Sequence, residues 1–319
     1  MRNIPYGRQS IDQDAIDEVS KILKSDWLTQ GPMIRGFEES LCRYTGARYA
    51  VAVSSGTAAL HISCLAAGIK GGDEVITSAI TFAASANCAL YCGARPAFAD
   101  ISPDHIDIDP EEIERSVTGK TKAVIPVHFA GHPCRMDAIR KIAKKRGLII
   151  IEDAAHALGA EYNGSKVGSC KYSDMTIFSF HPVKSITTGE GGAVLTNSKY
   201  LYDRLLLMRN HGITKDASKL HKHDGPWFHE MQELGFNYRI TDFQSILGIS
   251  QLKKLDKFIK ARRKIAHQYN NELSKIDVID LPFEDPNVKS AWHLYYIRIK
   301  GNKPDAVRKK VFCALRDNG

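Results

Sequence analysis

The chain has 319 residues, of which 43% are hydrophobic, so it can bury a large core and is long enough for one large domain and a smaller one. Its formal net charge is +8, but the basic residues are spread over probable helices, which favours solvated helix faces over a nucleic-acid groove. The seven cysteines lack paired zinc-binding spacing, no apolar stretch reaches membrane-spanning length and residues 1–7 lack the pattern of a signal peptide, so we expect a reduced, cytoplasmic protein with no metal, nucleic-acid or membrane partner.

The first predicted elements are two helices separated by a loop. A capping box formed by Ser10 and Gln13 is expected to start the first helix, which carries an apolar stripe. Residues 26–32 are expected to form a loop that carries an aromatic residue, and residues 37–44 the second helix.

From residue 49 onward, short apolar strands alternate with helices. Strands are predicted at 49–53, 74–77, 96–100, 122–127, 148–151, 174–180 and 192–196, and helices at 58–67, 82–92 and 136–146. This alternation is typical of a mostly parallel sheet covered by helices on both faces, in which ligands bind at the carboxyl ends of the strands. The sequence therefore predicts an α/β fold with its site at that edge of the sheet.

The pattern changes after about residue 241. The elements predicted there are two amphipathic, basic helices, a strand and a last helix, at 243–255, 258–273, 292–300 and from Pro304. We therefore expect a large domain at 1–240 and a smaller α+β domain at 241–319. The smaller domain would be short of strands and would end in a helix-stop signal, so we expect it to be incomplete.

Residues 54–59 follow a predicted strand and open a helix. Exposed backbone amides and hydroxyls at such a turn form an anion site that the helix dipole strengthens, so Gly56 and Thr57 are candidates to bind a phosphate. An ordinary glycine turn with a Ser/Thr cap is the alternative interpretation. The glycine fingerprints of dinucleotide and mononucleotide binding are absent from the sequence, which argues against a nicotinamide-dependent enzyme.

Asp153 and Lys184 are expected to meet at one cofactor. Asp153 follows the apolar run 148–151, and Lys184 follows the run 175–180 and precedes a glycine-rich loop at 187–192. An aspartate can pair with a protonated pyridine nitrogen and a half-buried lysine can react with an aldehyde, which is what pyridoxal phosphate needs. Each residue alone also has an ordinary interpretation, Asp153 as a helix N-cap and Lys184 as a solvated lysine.

Four further residues are candidates by type and position. Ser179 can reach the same phosphate from the end of its strand. His156 and Phe82 are residue types more often found in cores, but as ring neighbours they would stack against the cofactor faces. Asn237 lies in a turn-like segment before a predicted helix, where a structural role is the simplest interpretation.

Six short motifs occur together in the chain, at 29–32, 55–60, 152–156, 179–184, 189–192 and 235–239. In these motifs, and from Tyr6 to at least Trp292, the sequence resembles the DegT/StrS-type nucleotide-sugar aminotransferases. The resemblance implies a pyridoxal-phosphate-dependent transferase of the type I aspartate-aminotransferase fold, with a large, mixed, mostly parallel sheet domain and a smaller α+β carboxyl-terminal domain.

The resemblance implies that one set of residues holds pyridoxal 5′-phosphate. Lys184 would attach the cofactor through its amine, and Asp153 would hold the pyridine nitrogen. The remaining contacts, to the faces of the ring and to the phosphate, would come from Phe82, His156, Gly56, Thr57 and Ser179.

The resemblance also implies a homodimer with shared active sites, because Asn237 would reach the phosphate bound to the neighbouring subunit. Glutamate would donate the amino group to C4 of a UDP-linked keto-sugar, and the sugar nucleotide would contact Tyr6, Asp26, Trp27, Leu28 and Thr29. One branch of the family replaces the lysine by histidine and becomes a dehydratase, so Lys184 favours transamination. An enzyme for another keto-sugar and a catalytically silent cofactor-binding protein remain the alternatives.

Overall fold

The computed structural model describes residues 4–102, 105–222, 224–301 and 304–319. Its helices are α1 (Gln13–Leu23), α2 (Pro32–Thr45), α3 (Gly56–Ala66), α4 (Ala84–Tyr91), α5 (Pro110–Ser116), α6 (Met136–Arg146), α7 (Lys199–Arg209), α8 (Asp242–Leu252), α9 (Leu255–Leu273) and α10 (Pro304–Asp317), with short 3-10 turns at Phe129–Gly131 and Ala217–Lys219. Its strands are β1 (Tyr49–Val53), β2 (Glu74–Ser78), β3 (Arg95–Ala99), β4 (Thr121–Ile125), β5 (Ile149–Asp153), β6 (Glu161–Tyr162), β7 (Ser165–Lys166), β8 (Met175–Ser179), β9 (Gly192–Thr196), β10 (Ile213–Thr214), β11 (Glu230–Met231), β12 (Ile279–Asp280), β13 (Val288–Lys289) and β14 (Arg298–Ile299).

Seven strands form one sheet in the order β1–β9–β8–β5–β4–β2–β3. The pairs β2–β3, β2–β4, β4–β5 and β5–β8 are parallel, whereas β9 runs antiparallel to both β8 and β1. The predicted α/β fold with a mixed, mostly parallel sheet is thus confirmed. The carboxyl ends of β1, β5 and β8 lie at the same edge of the sheet, which is where ligands bind in such folds.

Apolar side chains fill both faces of this sheet. Consecutive residues of a strand point to opposite faces, so Ile150 joins a core cluster with Ile139 of α6, while Ile151 joins a cluster with Cys88 of α4. Both isoleucines are fully buried, and each such burial stabilises the fold by about 2 kcal/mol. Burial on two faces explains why the strands are continuous apolar runs in the sequence.

The predicted cap of the first helix is wrong. The structure places Asp12, not Ser10, at the N-cap of α1, where its carboxylate accepts a hydrogen bond from the Ala15 N–H over 3.2 Å. An ionised carboxylate is a strong acceptor for the free N–H groups of a first turn and interacts favourably with the helix dipole. The helix accordingly begins at Gln13.

The strand predicted at 292–300 is mostly absent. Within it only Arg298–Ile299 pairs, with Ile279–Asp280, to form a two-stranded sheet. Trp292 has a φ of +48°, a left-handed conformation that ends any extended run at that point. The buried residues of the segment, Trp292 and His293, are consecutive and do not alternate as in a strand with one buried face.

The segment after residue 240 begins with a helix that packs against α1 and α2. Thr241 caps α8 through a capping box with Gln244. Asp242 is fully buried and accepts hydrogen bonds from the N–H groups of Gly31 (2.8 Å) and Met33 (2.9 Å). These bonds fix the loop before α2 to the start of α8.

The division into domains at 1–240 and 241–319 stays a prediction. Among the residues that the structure describes, no helix is both long enough and apolar enough to cross a membrane.

Candidate active site

A cavity of about 670 Å³ opens at the carboxyl ends of β1, β5 and β8. Its wall includes eight of the residues singled out in the sequence, namely Tyr6, Gly56, Thr57, Phe82, Asp153, His156, Ser179 and Lys184. Residues from five separate stretches of the chain therefore converge on one space, at the edge of the sheet where the alternating pattern predicts a ligand.

The turn at the start of α3 forms one side of the cavity. Ser55 caps the helix by accepting the Ala58 N–H over 3.1 Å. A Cβ atom at Gly56 would lie 2.9 Å from Cβ of Ser179, and a Cβ atom at Gly192 would lie 2.5 Å from the carbonyl carbon of Ser55. Glycine at both positions lets the turn rest directly on the ends of β8 and β9, and the free N–H groups of the first helical turn favour an anion.

Asp153, the last residue of β5, is only 6% exposed. Its Oδ2 accepts a hydrogen bond from Oγ of Ser85 over 2.6 Å, and its Oδ1 accepts the Ala155 N–H over 3.2 Å. The carboxylate is therefore held from two sides, yet it still lines the cavity. Each of its oxygens has a further lone pair that can accept a hydrogen bond from a ligand.

Lys184 reaches the same cavity from a turn that follows β8. Its backbone N–H donates to the carbonyl of His181 over 2.9 Å, and Thr188 closes the loop by donating its N–H to the carbonyl of Phe180 over 3.0 Å. Burial lowers the pKa of the Lys184 amine, while the nearby charge of Asp153 acts in the opposite direction. The lowered pKa favours a neutral amine, which is the nucleophilic form.

The rings of His156 and His293 pack against one another beside the cavity, with centroids 4.3 Å apart and planes tilted by 33°. Burial lowers the pKa of His156 to about 3 and that of His293 to about 2. In the described part of the chain, Nδ1 of His156 and both ring nitrogens of His293 are buried without a hydrogen-bond partner. Because buried polar atoms in native proteins are nearly always satisfied, these nitrogens indicate a position where a ligand or water completes the site.

Of the other predicted residues, some line the cavity and some do not. Phe82 lies on the cavity wall but is 77% exposed, so its ring stands at the mouth. Residues 26–29 do not line the cavity of their own chain. Leu28 accepts the N–H of Asp242 with its carbonyl. Asn237 is exposed and pairs with Asn210 through an isolated bridge, away from the cavity wall.

Two residues of the site escaped the sequence analysis. Ser85 is a polar residue near the start of the mostly apolar helix α4, three positions after Phe82, and that spacing is the signal that could have found it. His293 falls within the strand predicted at 292–300, whereas in the structure it follows the left-handed Trp292 and its ring packs against that of His156.

Residues 9–319 match the DegT/DnrJ/EryC1/StrS aminotransferase family. The chain belongs to this family. The spore coat polysaccharide biosynthesis protein SpsC of Bacillus subtilis is 40% identical over 314 residues, which are 98% of this chain and 80% of SpsC. An uncharacterized protein of Methanocaldococcus jannaschii is 46% identical over 313 residues, which are 98% of this chain and 81% of that protein.

Solved structures of sugar aminotransferases share the fold. Helicobacter pylori PseC, an aminotransferase involved in the biosynthesis of pseudaminic acid, superposes with a TM-score of 0.91 at 33% identity, covering 100% of this chain and 83% of PseC. A putative sugar aminotransferase from Streptococcus pneumoniae, solved in its PMP form, gives 0.87 at 32% identity, covering 94% of this chain and 79% of that one. The same pneumococcal protein is known in a PLP form.

This DegT/DnrJ/EryC1/StrS family member is thus a pyridoxal-phosphate-dependent aminotransferase, and its cavity fits that cofactor. The fit rests on three features: the glycine turn before α3 that would accept a phosphate, the unpartnered histidine nitrogens beside the cavity, and a carboxylate and a lysine amine facing one space. A planar, anionic aldehyde with a basic ring nitrogen uses all three kinds of group.

Proposed function

We propose that the chain transfers an amino group from glutamate to C4 of a UDP-linked 4-keto-6-deoxy-N-acetylhexosamine. The observation that carries the proposal is the convergence of the Lys184 amine and the Asp153 carboxylate on one cavity, in a fold that PseC matches over the whole chain. Segments 4–11, 24–32 and 126–131 add to this support, because they resemble UDP-4-amino-4,6-dideoxy-N-acetyl-β-L-altrosamine transaminase of pseudaminic acid biosynthesis.

Lys184 and Asp153 would divide the chemistry between them. When bound, pyridoxal phosphate supplies a carbonyl that reacts with amines and a ring that absorbs negative charge. Lys184 would be the attachment point, and its Nζ, with a pKa lowered by burial, is suited to take up a proton from the substrate carbon and return it. Asp153 would face the ring nitrogen and keep a proton there, because a fixed carboxylate favours a neighbouring cation.

The remaining cavity residues would orient the cofactor. Gly56, Thr57 and Ser179 lie around the turn at the start of α3, where the helix dipole favours a phosphate. His156 is uncharged near neutral pH because of its lowered pKa, so its ring can stack on another flat ring without adding positive charge. Phe82, at the mouth, would cover the opposite side and exclude water.

The acceptor sugar would bind at the open side of the cavity. Tyr6 lies on the cavity wall and is largely exposed, so it is available to a bulky sugar nucleotide. Residues 26–29 of the same chain lie outside that wall, which suits contacts made to a site across a subunit boundary.

A homodimer with shared sites is part of the proposal, because Asn237 is exposed and lies away from its own cavity. The test mixes two inactive variants, Lys184→Ala and Asn237→Ala, by refolding or co-expression. A hybrid dimer holds one site with an intact Lys184 and an intact Asn237 from the other subunit, so activity should reappear on mixing. Failure to recover activity in verified hybrids would contradict the shared site.

The substrate is tested with a panel of nucleotide-linked keto-sugars and glutamate, with the products identified by mass spectrometry and NMR. We expect a 4-amino product from the UDP-linked 4-keto-6-deoxy-N-acetyl sugar. The 40% identity to SpsC favours a second candidate, an aminotransferase that acts on another nucleotide-linked keto-sugar in polysaccharide biosynthesis. Preferential turnover of another sugar would support that candidate, and loss of a hydroxyl without gain of an amine would indicate dehydration.

A further inference from the structure

Two hydroxyl groups of the α4 region form a chain that ends on Asp153. Ser85 is 0% exposed, and its Oγ lies 2.6 Å from Oδ2 of Asp153. Thr81 places its Oγ1 2.7 Å from the same Ser85 oxygen and lies on the wall of the cavity. The three side chains therefore connect the cavity wall to the back of the carboxylate.

The direction of these hydrogen bonds follows from the groups themselves. An ionised carboxylate only accepts, so Ser85 must donate its single hydroxyl hydrogen to Asp153. With that hydrogen used, the Ser85 oxygen can only accept in the second bond, so Thr81 is its donor. Aligned hydroxyls polarise one another, so the bond nearest to the carboxylate is strengthened by the outer one.

We propose that Ser85 is a positioning residue for Asp153 and that Thr81 orients Ser85. Ser85 fixes Oδ2 while the Ala155 N–H fixes Oδ1, and together they prevent rotation of the carboxylate in the cavity. The inference rests on the proposed role of Asp153 toward the cofactor ring. It adds that the orientation of this carboxylate depends on a residue that touches neither cofactor nor substrate.

The alternative for Ser85 is packing alone. A second buried serine gives a way to separate the two roles. Ser63 of α3 is also 0% exposed, and among the described residues its hydroxyl donates to the Ala59 carbonyl alone, over 2.7 Å. Ser63→Ala is therefore a matched control that removes a buried serine hydroxyl without touching Asp153.

The experiment measures the affinity of the full-length protein for pyridoxal phosphate by equilibrium dialysis, with folding checked by circular dichroism. A hydrogen bond to a charged group contributes enough that Ser85→Ala should weaken cofactor binding by about tenfold to a hundredfold. Ser85→Cys, which keeps a weaker donor of similar size, should lie between the wild type and Ser85→Ala. Thr81→Val should lose about threefold, and Ser63→Ala should bind as the wild type does.

A double-mutant cycle with Asp153→Ala makes the test specific. If Ser85 acts through Asp153, replacing Ser85 in the Asp153→Ala background should have no further effect on the affinity. An equal loss in both backgrounds, or wild-type affinity in Ser85→Ala, would overturn the inference while leaving the role of Asp153 intact. Wild-type affinity in Asp153→Ala alone would overturn the role of Asp153 itself. If Ser85→Ala does not fold, unchanged affinity in Thr81→Val is the result that would overturn the inference.

Discussion

Glu152 and Asp153 are neighbours on β5, yet their side chains lie in two different environments because successive residues of a strand point to opposite faces. Glu152 is enclosed by protein donors: Nε2 of His128 at 2.7 Å, Oγ1 of Thr176 at 3.0 Å, and the Ser173 hydroxyl. In the described part of the chain, Asp153 accepts from one side-chain donor, Ser85, and from the Ala155 N–H, and it also lines the cavity.

The histidines on the two faces differ in the same way. His128 is saturated, since its Nδ1 accepts the Cys134 N–H while its Nε2 faces Glu152. His156 and His293, in contrast, have ring nitrogens without partners in the described chain. Protein interiors satisfy their own polar groups, so the enclosed Glu152–His128 pair indicates a structural role, and the unpartnered histidine nitrogens beside the cavity indicate a binding site.

The pKa values follow this division. Burial raises the pKa of Glu152, but the hydrogen bonds from His128, Ser173 and Thr176 outweigh burial, and the net pKa is lowered. On the cavity side nothing offsets burial at the histidines, so their pKa values fall far below 6.5. The two histidines beside the cavity are therefore uncharged near neutral pH, whereas Glu152 on the opposite face is stabilised in its charged form by its hydrogen-bond donors.

The largest effect should come from the cavity side. Lys184→Ala removes the amine proposed for attachment and proton transfer, so turnover should fall at least about a thousandfold. The stability should stay the same or rise, because the amine is half-buried and its pKa is already lowered. Steady-state assays and urea unfolding check both expectations, with the exposed Lys141→Ala as the control. Activity above a few per cent of the wild type would exclude this role.

The opposite face should give the reverse result. Glu152→Ala leaves His128, Ser173 and Thr176 buried without their acceptor, so the free energy of unfolding should fall by about 3 kcal/mol. Because the folded pKa of Glu152 lies below 4.5, its stabilisation is present above pH 4.5 and is lost as the pH falls through the folded value. Urea unfolding at pH 7 and pH 4 measures this. A variant with wild-type stability but no activity would show that Glu152 acts in the reaction and not in stabilising the fold.

The smallest effect should come from the cavity histidines. The unfolded state binds a proton at each histidine below about pH 6.5, whereas folded His156 and His293 bind one only near 3 and 2, so stability is full above pH 6.5 and is lost as the pH falls. The slope is about 1.4 kcal/mol per pH unit for each histidine. Besides each other, the charges that act on them are those of Lys184 and Arg262.

His293→Phe keeps the stacked ring and removes one of these titrations. The loss of unfolding free energy between pH 7 and pH 5 should therefore be smaller in this variant than in the wild type, by about 2 kcal/mol. His128→Phe is not a suitable control because it would break the pair with Glu152, so His267, exposed on α9, is replaced instead. An identical pH dependence in His293→Phe and the wild type would show that His293 is not held uncharged.

The positions of the buried strands and the convergence of Asp153 with Lys184 follow from local patterns, which is why the sequence predicts them, whereas it does not predict the order of the strands. Apolar runs of four to seven residues mark buried strands, and the residue after each run falls at the ligand-binding edge. The antiparallel direction of β9 cannot be deduced in this way, because residues 192–196 are apolar whichever way the strand runs.

Contacts between distant segments account for the remaining misses. Ser85 meets Asp153 across 68 positions, and His293, which follows the left-handed Trp292, packs against His156 from a distant part of the chain. Neither contact produces a hydrophobic periodicity or a local motif from which it could be predicted. The cap at Ser10 failed for a local reason, since Asp12 provides a better acceptor two residues later.

The most direct test of the cofactor site is to trap pyridoxal phosphate on the purified protein with borohydride and to map the modified peptide by mass spectrometry. We expect one phosphopyridoxyl group, on Lys184, and its loss from the trapped pool when glutamate is added before the reductant. A label on another lysine, or a protein that takes up no pyridoxal phosphate at all, would contradict the assignment of this cavity as the active site.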